Sequence, residues 1–425
     1  MRWRRVKVMT ESVGLYVRLK VFKKDAICDR IKEPLERRFS TMDFDKGVAR
    51  KGTNCMKWDA PFVGEDVLPM WIADMDLPIA EPITRALTKV ASQGAFGYHF
   101  LSDAYYDSFI RFMDEEHDYK VKREWITFVP NVVIAMFYAV QAITAIDEAV
   151  MITPPVYGPF FKVVRESGRT LIESPLHNED GYYTMDFEDM ESKITDKTKA
   201  FLLCNPHNPS GRVWSRDELE TLVAFCKKHD LAIISDDIHS DILREGVKHT
   251  MIAKICSKQG VKCVSCTSPS KPFNLASIHL SNVTIEDEEL REKYNHLIEI
   301  NHIGSCSAFA EAALTSAYND SRQWLSDMNA YVEGNIDYFI DQIHKNFPYL
   351  TVVKPEGTYL VWVDFSKMHI RDNNIKGFLK DICKIFVNEG EFFGAEGAGH
   401  VRFNMACPRK NVEMAIERMI KNIEV

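Results

Sequence analysis

Between residues 125 and 266 short apolar runs alternate with amphipathic stretches, and that alternation restricts the chain to one broad architecture. Residues 125–129, 149–153, 170–173, 200–204, 231–235 and 261–266 read as strands. After the turn Pro130-Asn131, residues 132–144 read as a buried helix. Ser215-x-x-Glu218 is a capping box that opens a helix running to His229. Strands that alternate with helices return by right-handed crossovers, so the expected fold class is α/β with a mostly parallel sheet.

On either side the pattern changes. Residues 67–78 read as extended, Pro82 suits a first helical turn that ends by Gly94, and Ser102 caps a helix whose apolar face includes Tyr105, Phe109, Phe112 and Met113. Beyond Val283 the pattern is helical over 286–300, 309–318 and 323–345. Strands follow at 351–353, 358–364 and 400–404, with a last amphipathic helix from Asn411. This predicts an arm over 42–80, a large domain over 81–305 and a smaller α+β domain over 306–425. Residues 1–41 carry 12 Lys+Arg against 5 Asp+Glu, a surplus of +7 that leaves −15 for the remainder of a chain whose net charge is −8. They read as a basic extension outside the fold, or a start placed too early, more readily than as a transit or membrane-surface segment.

Charge and apolar patterning exclude several partners. An acidic chain of 425 residues without a basic patch is not built for nucleic acid. No apolar run reaches membrane-spanning length, and Val13-Gly14-Leu15-Tyr16-Val17 is cut by Arg18 and Lys20, too short for a signal-peptide core. The ten cysteines are scattered through apolar runs, as reduced thiols of a cytoplasmic protein would be. Cys263-x-x-Cys266 falls inside a strand, where a three-residue offset points the thiols to opposite faces, and no second pair completes a metal site.

Ligands of open parallel sheets bind beyond the carboxyl ends of the strands. Five strands here end in polar punctuation: Asn131, then Tyr157, then Asn205 and Asn208, then Asp236 and His239, then Ser268, Ser270 and Lys271. Lys271 follows an apolar run, has serines at −1 and −3, and lacks an adjacent acid, so it suits a nucleophilic amine. The helix that starts at Val132 and Val133 offers its N-terminus to a phosphate. Together these groups meet the needs of pyridoxal 5'-phosphate, which takes an amine at its aldehyde, a carboxylate at its ring nitrogen and an aromatic plate against its ring.

The specific pieces are Trp71-Ile72-Ala73-Asp74-Met75-Asp76, Phe96-Gly97-Tyr98, Pro154-Pro155-Val156-Tyr157, Cys204-Asn205-Pro206-His207-Asn208-Pro209-Ser210-Gly211-Arg212, Ser235-Asp236-Asp237-Ile238-His239-Ser240, the Lys271 segment and Val401-Arg402-Phe403-Asn404. In these the chain, over residues 43–422, resembles the fold-type I pyridoxal-phosphate enzymes (aspartate-aminotransferase-like, class I/II), and within them the cystathionine β-lyase (C–S lyase, MalY/PatB-like) branch. The resemblance implies a large domain with a seven-stranded sheet and a smaller α+β domain. It implies Lys271 as the Schiff-base lysine, Asp236 as the pyridinium partner and Asn208 as donor to the cofactor's phenolic oxygen. His239 stands where transaminases carry tyrosine, and Tyr157 matches the stacking aromatic. Ser268, Ser270 and the backbone of Asn131, Val132 and Val133 would hold the phosphate. Arg402 matches the fork for the substrate α-carboxylate, with Ala73 on the substrate side, and Tyr98 matches a tyrosine lent across a homodimer to the neighbouring active site. Asn131, Pro272 and Ser277 depart from the branch pattern, and His279 stands where transaminases carry a phosphate-binding arginine.

The implied activity is cleavage of cystathionine or cysteine-type S-conjugates to a thiol, pyruvate and ammonia, within methionine and amino-acid metabolism. An aminotransferase on the same scaffold, or a lyase that also binds a regulatory protein, are the competing readings. The Gly394–Gly399 loop leads into a strand rather than out of one, so it is not a dinucleotide fingerprint.

Overall fold

In the computed structural model, which describes residues 43–368 and 374–423, seven strands carry the architecture. β1 (Ile126–Val129), β2 (Ala149–Ile152), β3 (Thr170–Glu173), β4 (Thr198–Cys204), β5 (Ala232–Asp236), β6 (Cys263–Thr267) and β7 (Ser281–Ile285) form one sheet in the order β1-β7-β6-β5-β4-β2-β3. The pairings are parallel except those of β7, which runs antiparallel to β1 and β6. The expected α/β sheet is therefore present. The basic extension over 1–41 lies outside the described residues.

The longer helices, in chain order, are α1 (Glu81–Ala91), α2 (Asp103–His117), α3 (Val132–Ile143), α4 (Arg216–Lys228), α5 (Glu288–Ile300), α6 (Ala308–Asp320), α7 (Arg322–Asn346) and α8 (Arg409–Asn422). Helices on both faces explain why the strands are apolar almost throughout. Val150, Ile152, Leu202, Ile234 and Val264 pack against Ala135, Met136, Ala139 and Val140 of α3. Their neighbours Met151, Phe201, Leu203 and Ile233 pack on the other face with Leu219, Leu222 and Val223 of α4. Cys266 belongs to the first core and Cys263 packs against the second, the opposite placement that their spacing predicts. The capping box at Ser215 forms as expected, with Glu218 bonding back to the Ser215 N–H.

One strand went unread and two local expectations need correction. Residues 281–285, just before the helical stretch and assigned to no element by the sequence, enter the sheet as β7. Their polar groups are tolerated inside because each finds a partner: Ser281 Oγ donates to Val129 O (2.8 Å), and Asn282 Oδ1 accepts from Tyr105 Oη (2.7 Å). β6 starts two residues late, since Gly260 (φ 72°) ends the preceding helix in the left-handed region and the Val261 N–H still bonds back to Cys256 O. Ser102 precedes α2 but does not cap it; its hydroxyl donates to Glu311 of α6 instead.

A second, antiparallel sheet of β8 (Thr351–Val352), β9 (Leu360–Asp364), β10 (Asn388–Glu389) and β11 (His400–Asn404) has the order β8-β9-β11-β10. Its register places Asn388 opposite Arg402. Residues 71–77 belong to neither sheet, and they bond to Lys271 and Asn274 on one side and to Arg402 and Asn404 on the other. No helix among the described residues is long and apolar enough to cross a membrane.

Candidate active site

The parallel register aligns Cys204 with Asp236 and Asp236 with Cys266, so the segments leaving β4, β5 and β6 start side by side. Those segments, the turn after β1 and the loop after β2 enclose a cavity of about 330 Å³. Asn131, Val132, Val133, Tyr157, Asn208, Asp236, His239, Ser270, Lys271, Arg402 and Ala73 all line it, as do the unpredicted Asn388 and Phe392.

Lys271 Nζ donates to the Ala73 carbonyl at 2.6 Å. Burial lowers its pKa to about 8; Asp74 and Asp236 pull it back up, while the Arg402 charge adds to the fall. The amine therefore gives up its proton at a lower pH than an exposed lysine does, which favours a nucleophile or base. Asp236 shows the reverse. Burial pushes its carboxyl up to about 7, against an Ile238 N–H at 3.1 Å and the Lys271 charge, with Asp237 adding to the rise. The two adjacent aspartates divide the work. Asp237 is saturated by Ser235 Oγ (2.9 Å) and Ser265 Oγ (2.6 Å) away from the cavity, which leaves Asp236 as the carboxylate available to a ligand cation.

Arg402 is buried, and among the described residues no carboxylate bonds to it. It donates to Asn208 Oδ1 (2.8 Å), Trp71 O (2.9 Å) and Asn388 Oδ1 (2.8 Å), lies over the Phe393 ring at 4.9 Å, and leaves its Nε–H without a partner. Burial lowers its pKa to about 10. A desolvated cation with only neutral acceptors is a receptor for an anion. Its hold on Asn208 Oδ1 turns the Asn208 amide NH₂ free for a ligand oxygen.

The helix end behaves similarly. Asn131 Oδ1 accepts from the Ile134 N–H (2.9 Å), so the cap satisfies one early amide and leaves those of Val132 and Val133 for an anion. His239 is kept neutral by burial and by the Lys271 and Arg402 charges, and its Nδ1 is buried without a partner. Tyr157 meets Phe392 edge to face at 6.1 Å.

Ser268 is the exception among the expected phosphate ligands. Its hydroxyl donates to Leu280 O and accepts from the Ser270 N–H, so it braces the turn and does not line the cavity. Tyr98 also lies outside the cavity and is wholly exposed, as are much of Phe96 and Phe100. His279 is exposed as well.

Asn388, Phe392 and Phe393 escaped the sequence reading. Asn388 lies on β10 and the two phenylalanines on the turn that follows it, whose shape depends on two glycines in backbone contact: a Cβ on Gly390 would stand 1.7 Å from Gly397 O, and one on Gly397 would stand 2.0 Å from Gly390 O. That contact delivers Asn388 and Phe393 to Arg402 and Phe392 to the cavity mouth. The glycines were legible; their mutual packing was not.

The family profile for aminotransferase class I and II matches residues 83–419. The chain belongs to that family. Its relatives in the class I and II family include cystathionine beta-lyase PatB of Bacillus subtilis (strain 168), 37% identical over 382 residues, which cover 89% of this chain and 99% of the relative. Among solved structures, cystalysin from Treponema denticola, which contains pyridoxal 5'-phosphate, superposes with a TM-score of 0.87 at 32% identity over 90% of this chain and 99% of the other. The pyridoxal-phosphate-bound C–S lyase from Staphylococcus hominis gives 0.85 at 30% identity over 91% and 99%. The architecture is thus the pyridoxal-phosphate-dependent aminotransferase fold.

The residues present fit that cofactor. The orphaned Nδ1 of His239, the free amides of Val132 and Val133, the single-donor environment of Asp236 and the unoccupied NH₂ of Asn208 are the unmet groups that a phosphorylated hydroxypyridine would satisfy. Among the described residues, no group of three or more His, Cys, Asp or Glu is placed to hold a metal ion.

Proposed function

We propose that this protein is a pyridoxal-phosphate-dependent carbon–sulfur β-lyase that cleaves cystathionine or related cysteine S-conjugates. The observation that carries the reading is the meeting in one cavity of an amine with a pKa near 8, a buried carboxyl and an arginine without an anion. The names of the relatives, cystathionine beta-lyase and C–S lyase, support elimination over transamination.

When bound, the cofactor supplies an electron sink for the pair released at the substrate Cα. The rest falls to this chain. Lys271 holds the reactive amine and takes the Cα proton. Arg402 grips the α-carboxylate, the task for which its planar fork is suited. Asp236 would keep a proton on the cofactor's ring nitrogen, Asn208 and His239 would offer donors to its polar groups, and Tyr157 would supply an aromatic wall beside it. Val132, Val133 and Ser270 hold the phosphate. The Cβ–S bond then breaks, the thiolate takes a proton to leave as a thiol, and water converts the remaining three-carbon enamine to pyruvate and ammonia. We further propose a cytoplasmic homodimer in which Tyr98 completes the neighbouring site, with a large domain over 81–305 and a small one over 306–425.

Product analysis tests the activity. Incubation with cystathionine should release thiol and pyruvate in equal amounts without added keto acid, cystine should give pyruvate with cysteine persulfide, and an amino acid and keto acid pair should show no steady exchange of the amino group. Turnover that requires the keto acid and yields no pyruvate from cystathionine assigns the aminotransferase reading instead.

A further inference from the structure

Residues 71–77 lie outside any strand, yet all seven of their carbonyls accept a hydrogen bond. Trp71 O takes Arg402, Ile72 O takes Asn404 and the Asp74 N–H, and Ala73 O takes Lys271. Asp74 O takes Asn404 and Lys57, Met75 O takes Arg50 and Asn274, Asp76 O takes the Val48 N–H, and Leu77 O takes Asn274. Irregular backbone in a protein interior must find donors one by one, because no ladder supplies them. Here most of those donors are side chains.

Two of them form a matched pair. Asn404 follows Arg402 by two residues on β11, so both side chains leave the same face of the strand. Its amide NH₂ forks to Ile72 O (2.7 Å) and Asp74 O (2.8 Å), while its Oδ1 accepts the Ala406 N–H (2.8 Å) and so fixes which way the amide points. Asn274 follows Lys271 by three residues and adopts φ 58°, a left-handed backbone that asparagine tolerates better than most residues. Its NH₂ forks to Met75 O (3.2 Å) and Leu77 O (3.0 Å). Neither asparagine lines the cavity.

We propose that Asn274 and Asn404 are positioning residues that set the separation of the Lys271 amine from the Arg402 guanidinium. Both functional groups are bonded to the same seven-residue segment, and each asparagine ties the backbone beside one of them to that segment as well. The segment acts as a splint. Asn404 holds the two carbonyls that flank Ala73, the acceptor of Lys271, and Arg402 holds Trp71 beside them, while Asn274 ties the Lys271 turn to the far end at Met75 and Leu77. An amide suits the task because one short side chain can donate two hydrogen bonds to neighbouring carbonyls. Aspartate has the same shape but would turn oxygens on those carbonyls. The proposal rests on the functional reading above for the meaning of the spacing, but the splint itself is testable without it.

The two ends should fail differently. Asn404→Ala and Asn404→Asp free the carbonyls on both sides of Ala73 together with the strand that carries Arg402, so KM for the amino acid should rise about tenfold or more and kcat should fall with it. Asn274→Ala and Asn274→Asp loosen the lysine end, so kcat should fall and the pH midpoint of the bound cofactor's absorbance should shift, with KM nearly unchanged. Cofactor-free protein gives the independent readout. Hydrogen exchange over 71–77 should quicken in all four variants, and the pH dependence of Lys271 acetylation by acetic anhydride should move in all four, since Asn404 holds the carbonyls flanking the Lys271 acceptor and Asn274 its own turn. Should the alanine and aspartate variants fail to fold, Asn274→Ser and Asn404→Ser, which keep one donor, carry the same comparison in milder form. Folded variants with parental KM, parental cofactor titration and parental exchange overturn the proposal, and so does an identical kinetic effect from both ends. If the parent binds no cofactor the functional reading falls, while exchange and Lys271 labelling still decide the splint.

Discussion

Asp236 shows what an interior does to a carboxyl group whose cationic partner has yet to arrive. Desolvation outweighs one backbone N–H and a nearby ammonium, and the pKa rises to about 7, whereas an aspartate in an unfolded chain titrates near about 4. The folded state therefore binds this proton more tightly than the unfolded state. Its contribution to stability is whole below about pH 4 and is lost as the pH climbs through about 7, a swing on the order of 4 kcal/mol when complete. Buried neutral histidines, His207 and His239, act in the opposite direction at the acid end, so the informative quantity is a difference. Cofactor-free parent should lose stability relative to Asp236→Asn between about pH 4 and 7, read from denaturant midpoints at each pH. Parallel profiles would remove Asp236 from this account. At this scale much was legible in the sequence: Lys271, Asp236, Asn208 and Arg402 each follow or sit in a strand with chemistry that burial alone does not explain. Ser268 was misplaced because a serine beside a lysine reads the same whether its hydroxyl faces a ligand or braces its own turn.

Among the elements, α3 joins fold to chemistry most directly. Asn131 both ends the turn after β1 and caps the helix through the Ile134 N–H, so the amides left over are those that line the cavity. Asn131→Ala should cost about 1 kcal/mol of stability through the lost cap while the bound cofactor is retained, because the Val132 and Val133 amides do not depend on that side chain. Thermal unfolding with and without pyridoxal phosphate measures both parts, and loss of the cofactor at unchanged stability would contradict the division. The alternation of strands and helices was readable because those strands are apolar on both faces. β7 was not, since Ser281, Asn282 and Thr284 are buried through bonds to β1, α2 and neighbouring strands that no local pattern reveals. The register that sets Asn388 opposite Arg402 is likewise a property of two strands and not of either alone.

For the whole molecule, the exposed side chains of Phe96, Tyr98 and Phe100 sit on one short segment that a second copy of the chain would cover under the homodimer proposed above. Tyr98 does not line its own chain's cavity, so under this proposal it serves the neighbour's. Tyr98→Phe and Lys271→Ala proteins, each weak alone, should regain activity when mixed under subunit exchange. Each hybrid dimer holds one intact site, and random pairing makes half the dimers hybrid, so recovery should approach roughly a quarter of the parent. A fully active monomer, or no recovery despite proven exchange, would remove the shared site.

The seven clamped carbonyls have a consequence for how such a protein can be altered. What the donors at Arg50, Lys57, Asn274 and Asn404 recognise is main chain, which every amino acid supplies alike. The side chains of Ile72 and Ala73 border the cavity without entering the clamp, whereas Trp71 donates its indole N–H to the Lys57 carbonyl. A library randomised at Ile72 and Ala73 can therefore reshape the wall beside a substrate while the amine and the guanidinium keep their places, whereas one change at Asn404 would disturb both.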